Sequence, residues 1–282
     1  MRRKVYLLTT GGTIAFRSRE NGTAVMDFSP ENLVSELGLT DVDLEVRHIM
    51  KKGSMDIIAD DWQVIAGSTA DVLCTRPQGV VILHGTDTMH YTASALSFML
   101  QDLSVPVVLT GSMIPGGDAG TDAGFNLKNA VTVAAYADLA EVCIVFSGDL
   151  EMRKGVIIRG CRARKMHSYG INAFESINIP PIGFIRDGEI TYSDLEIRRR
   201  ENRQLKEYAN LNPNVVLVKL TPAITLQTLA RFLEGNAGAV LEGTGIGHIR
   251  TDLQEAIASF KNPTAMSTQT IYGGERLGMY DA

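Results

Sequence analysis

Cysteine is scarce: the 282-residue chain holds three, Cys74, Cys143 and Cys161, widely spaced and without a C-x-x-C pair. Such a set forms no disulfide framework and is expected as reduced thiols in a cytoplasmic protein. Long apolar runs are missing too. No stretch of about 18 uninterrupted apolar residues occurs, so no membrane-spanning helix is expected. Met1-Arg2-Arg3-Lys4 passes straight into the first apolar run, without the hydrophobic core of a secretory signal. Asn21-Gly22-Thr23 has the form of a glycosylation sequon, and without secretion it is expected as a plain turn. Positive charge is not in excess. The net charge of −5 argues against nucleic acid as the main partner, and the basic run Arg198-Arg199-Arg200 is expected as a solvated linker face. Phosphate-cradling signatures fail as well. No lysine stands at the Walker position after Gly11-Gly12-Thr13, and His248 replaces the third glycine of a dinucleotide pattern at Gly243-Thr244-Gly245-Ile246-Gly247-His248.

What remains is an ordinary globular composition, 45% hydrophobic and 21% charged, with length for one large or two moderate domains. Short apolar runs alternate with segments of helical spacing. Strands are expected at 5–9, 79–84, 105–111, 142–147, 215–220 and 237–242, and helices at 59–73, 92–103, 126–137, 226–234 and 253–260. Strands apolar on both faces, alternating with amphipathic helices, indicate an α/β fold with a mainly parallel sheet flanked by helices. Between about 178 and 214 the texture changes. Pro180-Pro181, the Asp187-Gly188 turn and the charged stretch 194–206 separate the first βα series from a shorter second one. A hairpin is expected there, with Phe184-Ile185 and 190–192 flanking its turn.

Two segments stand out at strand ends, where open α/β sheets bind ligands. Thr9-Thr10-Gly11-Gly12-Thr13-Ile14-Ala15 follows one apolar run and His84-Gly85-Thr86-Asp87-Thr88 follows another. Two hydroxyl clusters, one with a carboxylate beside it, suggest a threonine nucleophile and a separate activating group. The plainer alternatives are that Thr13 caps the next element and that Asp87 caps a helix beginning near Tyr91. His84, Asp87 and His90 recur at intervals of three, but a metal is not expected from them, and His84 fits a hydrogen-bonded structural histidine better. In the basic cluster Arg162-Ala163-Arg164-Lys165-Met166-His167-Ser168, one cation pointing at Asp87 could orient a threonine hydroxyl. Spacing leaves that open.

Taken together, Thr10-Gly11-Gly12-Thr13-Ile14-Ala15, Gly53-Ser54, His84-Gly85-Thr86-Asp87-Thr88-Met89, Thr110-Gly111-Ser112-Met113, Asp122-Ala123-Gly124-Phe125-Asn126-Leu127 and Arg164-Lys165-Met166-His167 resemble the bacterial-type L-asparaginase family. They are also similar to the catalytic subunit of archaeal glutamyl-tRNA(Gln) amidotransferase. The pieces keep the family's order over nearly the whole chain. The resemblance implies a catalytic N-terminal α/β domain over 1–180, a connection over 181–213 and a smaller C-terminal α/β domain over 214–282. Family members usually continue beyond the equivalent of Ala282, so a shortened C-terminal domain is expected. It implies hydrolysis of L-asparagine to L-aspartate and ammonia, with L-glutamine kept open as substrate and no metal or organic cofactor. It also implies a homodimer or homotetramer with sites near subunit interfaces.

By matching motif, Thr13 would be the nucleophile that forms an acyl-enzyme, and Thr86, Asp87 and Lys165 the second catalytic constellation. Ser54 would hold the substrate α-carboxylate, Asp87 its α-ammonium, and the backbone around Ser112 the side-chain amide, with Thr86 also in contact. The neutral hydroxyl needs such help, because alone it is a poor nucleophile. Besides its early end, the chain departs from the pattern at two places. No tyrosine occurs between Tyr6 and Tyr91, where family members carry one on the loop matching 17–27, and Met55 stands where some members have glutamine. Two alternatives are carried forward: a glutamine-hydrolysing, ammonia-generating subunit of a tRNA-dependent amidotransferase, and an inactive ligand-binding homologue.

Overall fold

Runs of valine, isoleucine and leucine with no polar face must be covered on both sides, and four of them here are. The computed structural model describes residues 2–15, 17–18, 24–25, 33–35 and 37–275. The chain divides into two compact units, Met1–Asn210 and Leu211–Ala282. In the first unit, β1 (Arg3–Gly11), β3 (Gly79–Leu83), β4 (Val107–Thr110) and β5 (Val142–Ser147) are buried almost end to end. β2 (Val42–Lys52) was not expected. It lies at the sheet edge and carries exposed charge at Arg47, so its texture is polar where the others are apolar.

With β6 (Gly155–Arg159), β9 (Gly183–Arg186) and β10 (Glu189–Tyr192), these form one eight-stranded sheet in the order β10-β9-β6-β5-β4-β3-β1-β2. The block β2-β1-β3-β4-β5 is parallel, and β6, β9 and β10 are antiparallel additions. A separate antiparallel pair, β7 (Ala163–Lys165) and β8 (Phe174–Ser176), follows β6. From β1 the chain goes outward to β2, then crosses back beyond β1 to β3 and onward to β4 and β5. The reversal leaves a crevice beyond the carboxyl ends of β1 and β3, the place where doubly wound sheets bind ligands.

After β2, β3 and β4 the parallel strands are connected by α1 (Ala59–Leu73), α2 (Met89–Met99) and α3 (Ala123–Tyr136). α3 buries Ala123, Leu127, Ala130, Val131 and Ala134 against Val5, Leu7, Val81, Leu83, Val108 and Val145 in one core. Each fully buried leucine there contributes about 1.5–3 kcal/mol, which makes the strand ends a rigid platform for the turns beyond them. The expected hairpin forms as β9 and β10 around Asp187-Gly188 and extends the main sheet, so most of the anticipated connection lies inside the first unit. The basic run is not simply solvated. The Arg200 guanidinium donates to the carbonyls of Ala137, Gln78 and Ala134 at 2.5, 2.5 and 2.8 Å, stapling the chain to the ends of α3 and the β3 approach.

The second unit is a smaller α/β body. β11 (Val215–Lys219), β12 (Gly238–Gly243) and β13 (Thr264–Thr268) run parallel in that order, with α4 (Leu226–Leu233) and α5 (Gln254–Ser259) between them. Val218, Leu229, Leu233, Leu241 and Leu253 form its core. Among the described residues, no helix is long and apolar enough to cross a membrane. The Asn21-Gly22-Thr23 turn, much of the loop 17–27 and the last seven residues lie outside the described residues.

Candidate active site

Two glycines decide how closely the turns beyond the sheet approach. β1 ends at Gly11 and Gly12 follows, both in the left-handed region at φ 108° and 81°, and the chain then enters a short 3-10 turn at Thr13–Ala15. A Cβ on Gly12 would lie 2.3 Å from Gly85 N and 2.4 Å from its Cα, while one on Gly85 would lie 2.6 Å from Ser54 Oγ. Only bare backbone fits. The turns after β1, β2 and β3 are thereby pressed together, with Thr13 and Thr86 each one residue beyond the Gly12–Gly85 contact. Thr10 Oγ1 donates to Leu83 O at 2.9 Å and Gly12 N to Lys52 O at 3.1 Å, tying the three turns further. Thr86 and Ser54 are buried and Thr13 half-buried.

Lys165, at the end of β7, answers the question that spacing left open. Its Nζ donates to Thr86 Oγ1 at 2.9 Å and to Asp87 Oδ1 at 2.6 Å. Of the pair, Lys165 is 11% exposed and Asp87 59%, so the carboxylate opens outward while the ammonium is enclosed. Thr86 accepts from lysine, which leaves its own O–H to donate elsewhere. Asp87 is no helix cap: α2 starts at Met89, and Thr88, at its N-cap, makes no side-chain cap bond. Thr88 Oγ1 instead donates to Ser54 O at 2.7 Å. The nearby His90 is held neutral, its proton affinity pushed down to about 4 by burial and by the Arg164 and Lys165 charges.

The fourth turn, after β4, is fixed from below. The Asp122 carboxylate accepts Met113 N–H at 3.0 and 3.1 Å, Ile114 N–H at 3.0 Å and Asn126 Nδ2 at 2.8 Å. Asn126 Nδ2 also donates to Gly111 O at 3.0 Å. Burial pushes the Asp122 carboxyl up, against the pull of these donors. Ser112 is fully enclosed and its Oγ has no partner among the described residues. Beyond Thr13, Ser18 N and Oγ donate to Asp118 at 2.9 and 2.6 Å, which fastens the segment after the first motif to the loop that follows the fourth turn.

His84 is structural. Its Nδ1 lies 2.8 Å from Gly85 O, which can only accept, so the proton sits there, and Nε2 takes Thr92 Oγ1 at 3.0 Å. Thr92 in turn receives Trp62 Nε1–H at 3.0 Å. Burial drives the imidazole down to about 4, so it is neutral and has no lone pair to spare for a metal. Among the described residues, no group of three His, Cys, Asp or Glu side chains could hold one. Sequence reasoning missed the supporting residues Lys52, Asp61, Trp62 and Thr92, and quoted Asp122 and Asn126 without a role. Asp61 accepts Ile58 N–H at 2.9 Å, but Ile58 has no capping side chain, so no local motif drew attention to it.

The family model described as Asparaginase, N-terminal, matches residues 4–198. L-asparaginase of Thermococcus kodakarensis is 35% identical over 286 residues, which cover 99% of this chain and 84% of that protein. A glutamyl-tRNA(Gln) amidotransferase subunit of Pyrococcus furiosus is 37% identical over 98% of this chain, but the match spans only 65% of that protein. Among solved structures, the thermostable L-asparaginase from Thermococcus kodakarensis superposes with a TM-score of 0.88, covering 99% of this chain and 84% of that one. L-asparaginase I from Vibrio cholerae O1 biovar eltor gives 0.86 at 30% identity, again covering 99% and 84%. Thus a family model over most of the first unit and relatives matched along nearly the full length agree with the threonine-bearing turns at the switch point: this chain belongs to the asparaginase family.

Proposed function

We propose that the chain hydrolyses the side-chain amide of L-asparagine to give L-aspartate and ammonia. One observation carries the reading: Lys165 grips Thr86 and Asp87 beside the backbone contact that presents Thr13. Thr13 Oγ attacks the amide carbon, the C–N bond breaks, and the departing nitrogen leaves as ammonia with the hydroxyl proton. Water then cleaves the resulting ester, releasing aspartate and restoring the threonine. Thr86, whose oxygen is held by lysine and whose O–H is free to turn, moves protons between Lys165 and the attacking or leaving group. Backbone N–H groups just beyond the glycine turns, Gly12 N–H being already given to Lys52 O, stabilise the oxyanion.

An amino-acid head needs one anion and several hydrogen-bond donors. Asp87 keeps Oδ2 without a partner among the described residues and supplies the anion for the α-ammonium. Ser54, in the next turn, meets the α-carboxylate, and the backbone at Ser112 meets the amide. The protein works in the cytoplasm as a homodimer or homotetramer, with no nucleic-acid partner in this role. A second reading is favoured by the 37% identity to the amidotransferase protein: a glutamine-hydrolysing subunit that feeds ammonia to a tRNA-dependent partner.

Ammonia release from both amides separates these readings. Faster turnover of L-asparagine than of L-glutamine by the lone chain supports asparaginase action. Silence toward both amides until a partner subunit and charged tRNA are added supports the second reading. Binding of L-aspartate without any turnover would leave a ligand-binding homologue.

A further inference from the structure

One ion pair beside the site has no part in the chemistry above. Lys52 closes β2 and Asp61 lies in the first turn of α1. Lys52 Nζ donates to Asp61 Oδ1 at 2.6 Å and to Oδ2 at 2.8 Å, and Oδ2 also accepts Ile58 N–H at 2.9 Å. Between residues 52 and 58 lies the turn that bears Ser54. A single carboxylate therefore joins the two ends of that turn. The backbone of Lys52 reaches the other side of the crevice, because its carbonyl accepts Gly12 N–H at 3.1 Å. Ser54 meanwhile packs on Gly85, and its carbonyl takes the Thr88 hydroxyl.

Asp61 is 11% exposed and Lys52 39%. Burial pushes the Asp61 carboxyl up, but the Lys52 ammonium and the Ile58 N–H outweigh it and hold the group below the usual carboxylate range. The Asp61 carboxylate is thus ionised at neutral pH, and it already faces the Lys52 ammonium through two short contacts. The pair offers no spare charge to a substrate carboxylate. Its effect must run through the position of the turn.

We propose that Asp61, acting through Lys52, is a positioning residue that sets affinity for the α-carboxylate of the amino-acid substrate by holding the Ser54 turn against Gly85. This rests on the reading of Ser54 given above. The residue touches no reacting atom, so its loss weakens binding of the ground state and transition state alike, raising KM with kcat nearly unchanged.

The test is a double-mutant cycle on the full chain. Asp61→Asn keeps an oxygen for Ile58 N–H and removes the ion pair. Lys52→Met removes it from the other side. Each should raise KM for L-asparagine, and Kd for L-aspartate, by about tenfold with kcat within about twofold of wild type. The double variant should be no worse than either single one, and Lys52→Arg should restore most of the affinity. As a control for a purely structural role, Glu141→Gln breaks the Arg159 pair elsewhere in the unit and should lower Tm without moving KM. Variants that lower Tm yet leave KM and Kd unchanged overturn the inference while the functional reading stands. A fall in KM in Asp61→Asn also overturns it, since freed Lys52 would then be binding substrate directly. A wild type that neither turns over nor binds these amino acids overturns both.

Discussion

Lys165 uses two of its three N–H donors on Thr86 and Asp87, so one substitution empties the second constellation. Lys165→Met should lower kcat for ammonia release by about 10²–10⁴-fold, the range of positioned acid–base groups, while Kd for L-aspartate moves little. Steady-state kinetics with calorimetric aspartate binding checks this, and an unchanged kcat would remove Lys165 from the chemistry. His84 makes a different kind of statement. Its folded value of about 4 lies below the ordinary 6.5, so the unfolded chain takes up a proton that the folded chain refuses. Stability from this group is complete above pH 6.5 and is lost as pH falls toward 4, by about 3 kcal/mol. Urea unfolding across that window should show the loss, and His84→Asn should reduce it, leaving the share that His90, also held near 4, contributes. An acid dependence unaltered in the variant would contradict the account.

Where elements meet, the turns matter more than the strands. Gly85→Ala would force a methyl against Ser54 Oγ and Gly12 Cα, spreading the turns after β1, β2 and β3. The expected outcome is a stability loss of about 1–3 kcal/mol with loss of most ammonia release, checked by chemical denaturation and the same assay. Full activity in that variant would mean the close approach has no bearing on the site. Elements were legible in the sequence where packing leaves a plain mark. Val80–Leu83 and Val142–Phe146 are apolar on both faces, and α1 spans 59–73 as its spacing predicts. β2 was illegible because an edge strand with one side in solvent tolerates Glu45, Arg47 and Lys51. In the site, the threonine turns were visible as motifs, since glycine beside threonine after an apolar run is a local signal. The grip of Lys165 on Thr86, 79 positions away, was suggested by the matching motif at 164–167 and was not readable from spacing. Neither was the hold of Asp122 on the turn at 113–114, because both depend on tertiary approach that no spacing encodes.

At the scale of the whole molecule, the strand order of the parallel block reverses between β1 and β3, and that reversal, with the Gly12–Gly85 contact, brings two distant threonine turns together. A net charge of −5 gives the chain little of the cationic surface that holds nucleic acid. It favours a small amide over tRNA as the direct ligand of the lone chain. With Thr13 as nucleophile of an amidohydrolase site, everything turns on ammonia release from L-asparagine by the purified chain and by Thr13→Ala, assayed side by side. Steady release by the wild type and none above background by the variant is expected. Equal rates from the two proteins would remove Thr13 from the reaction.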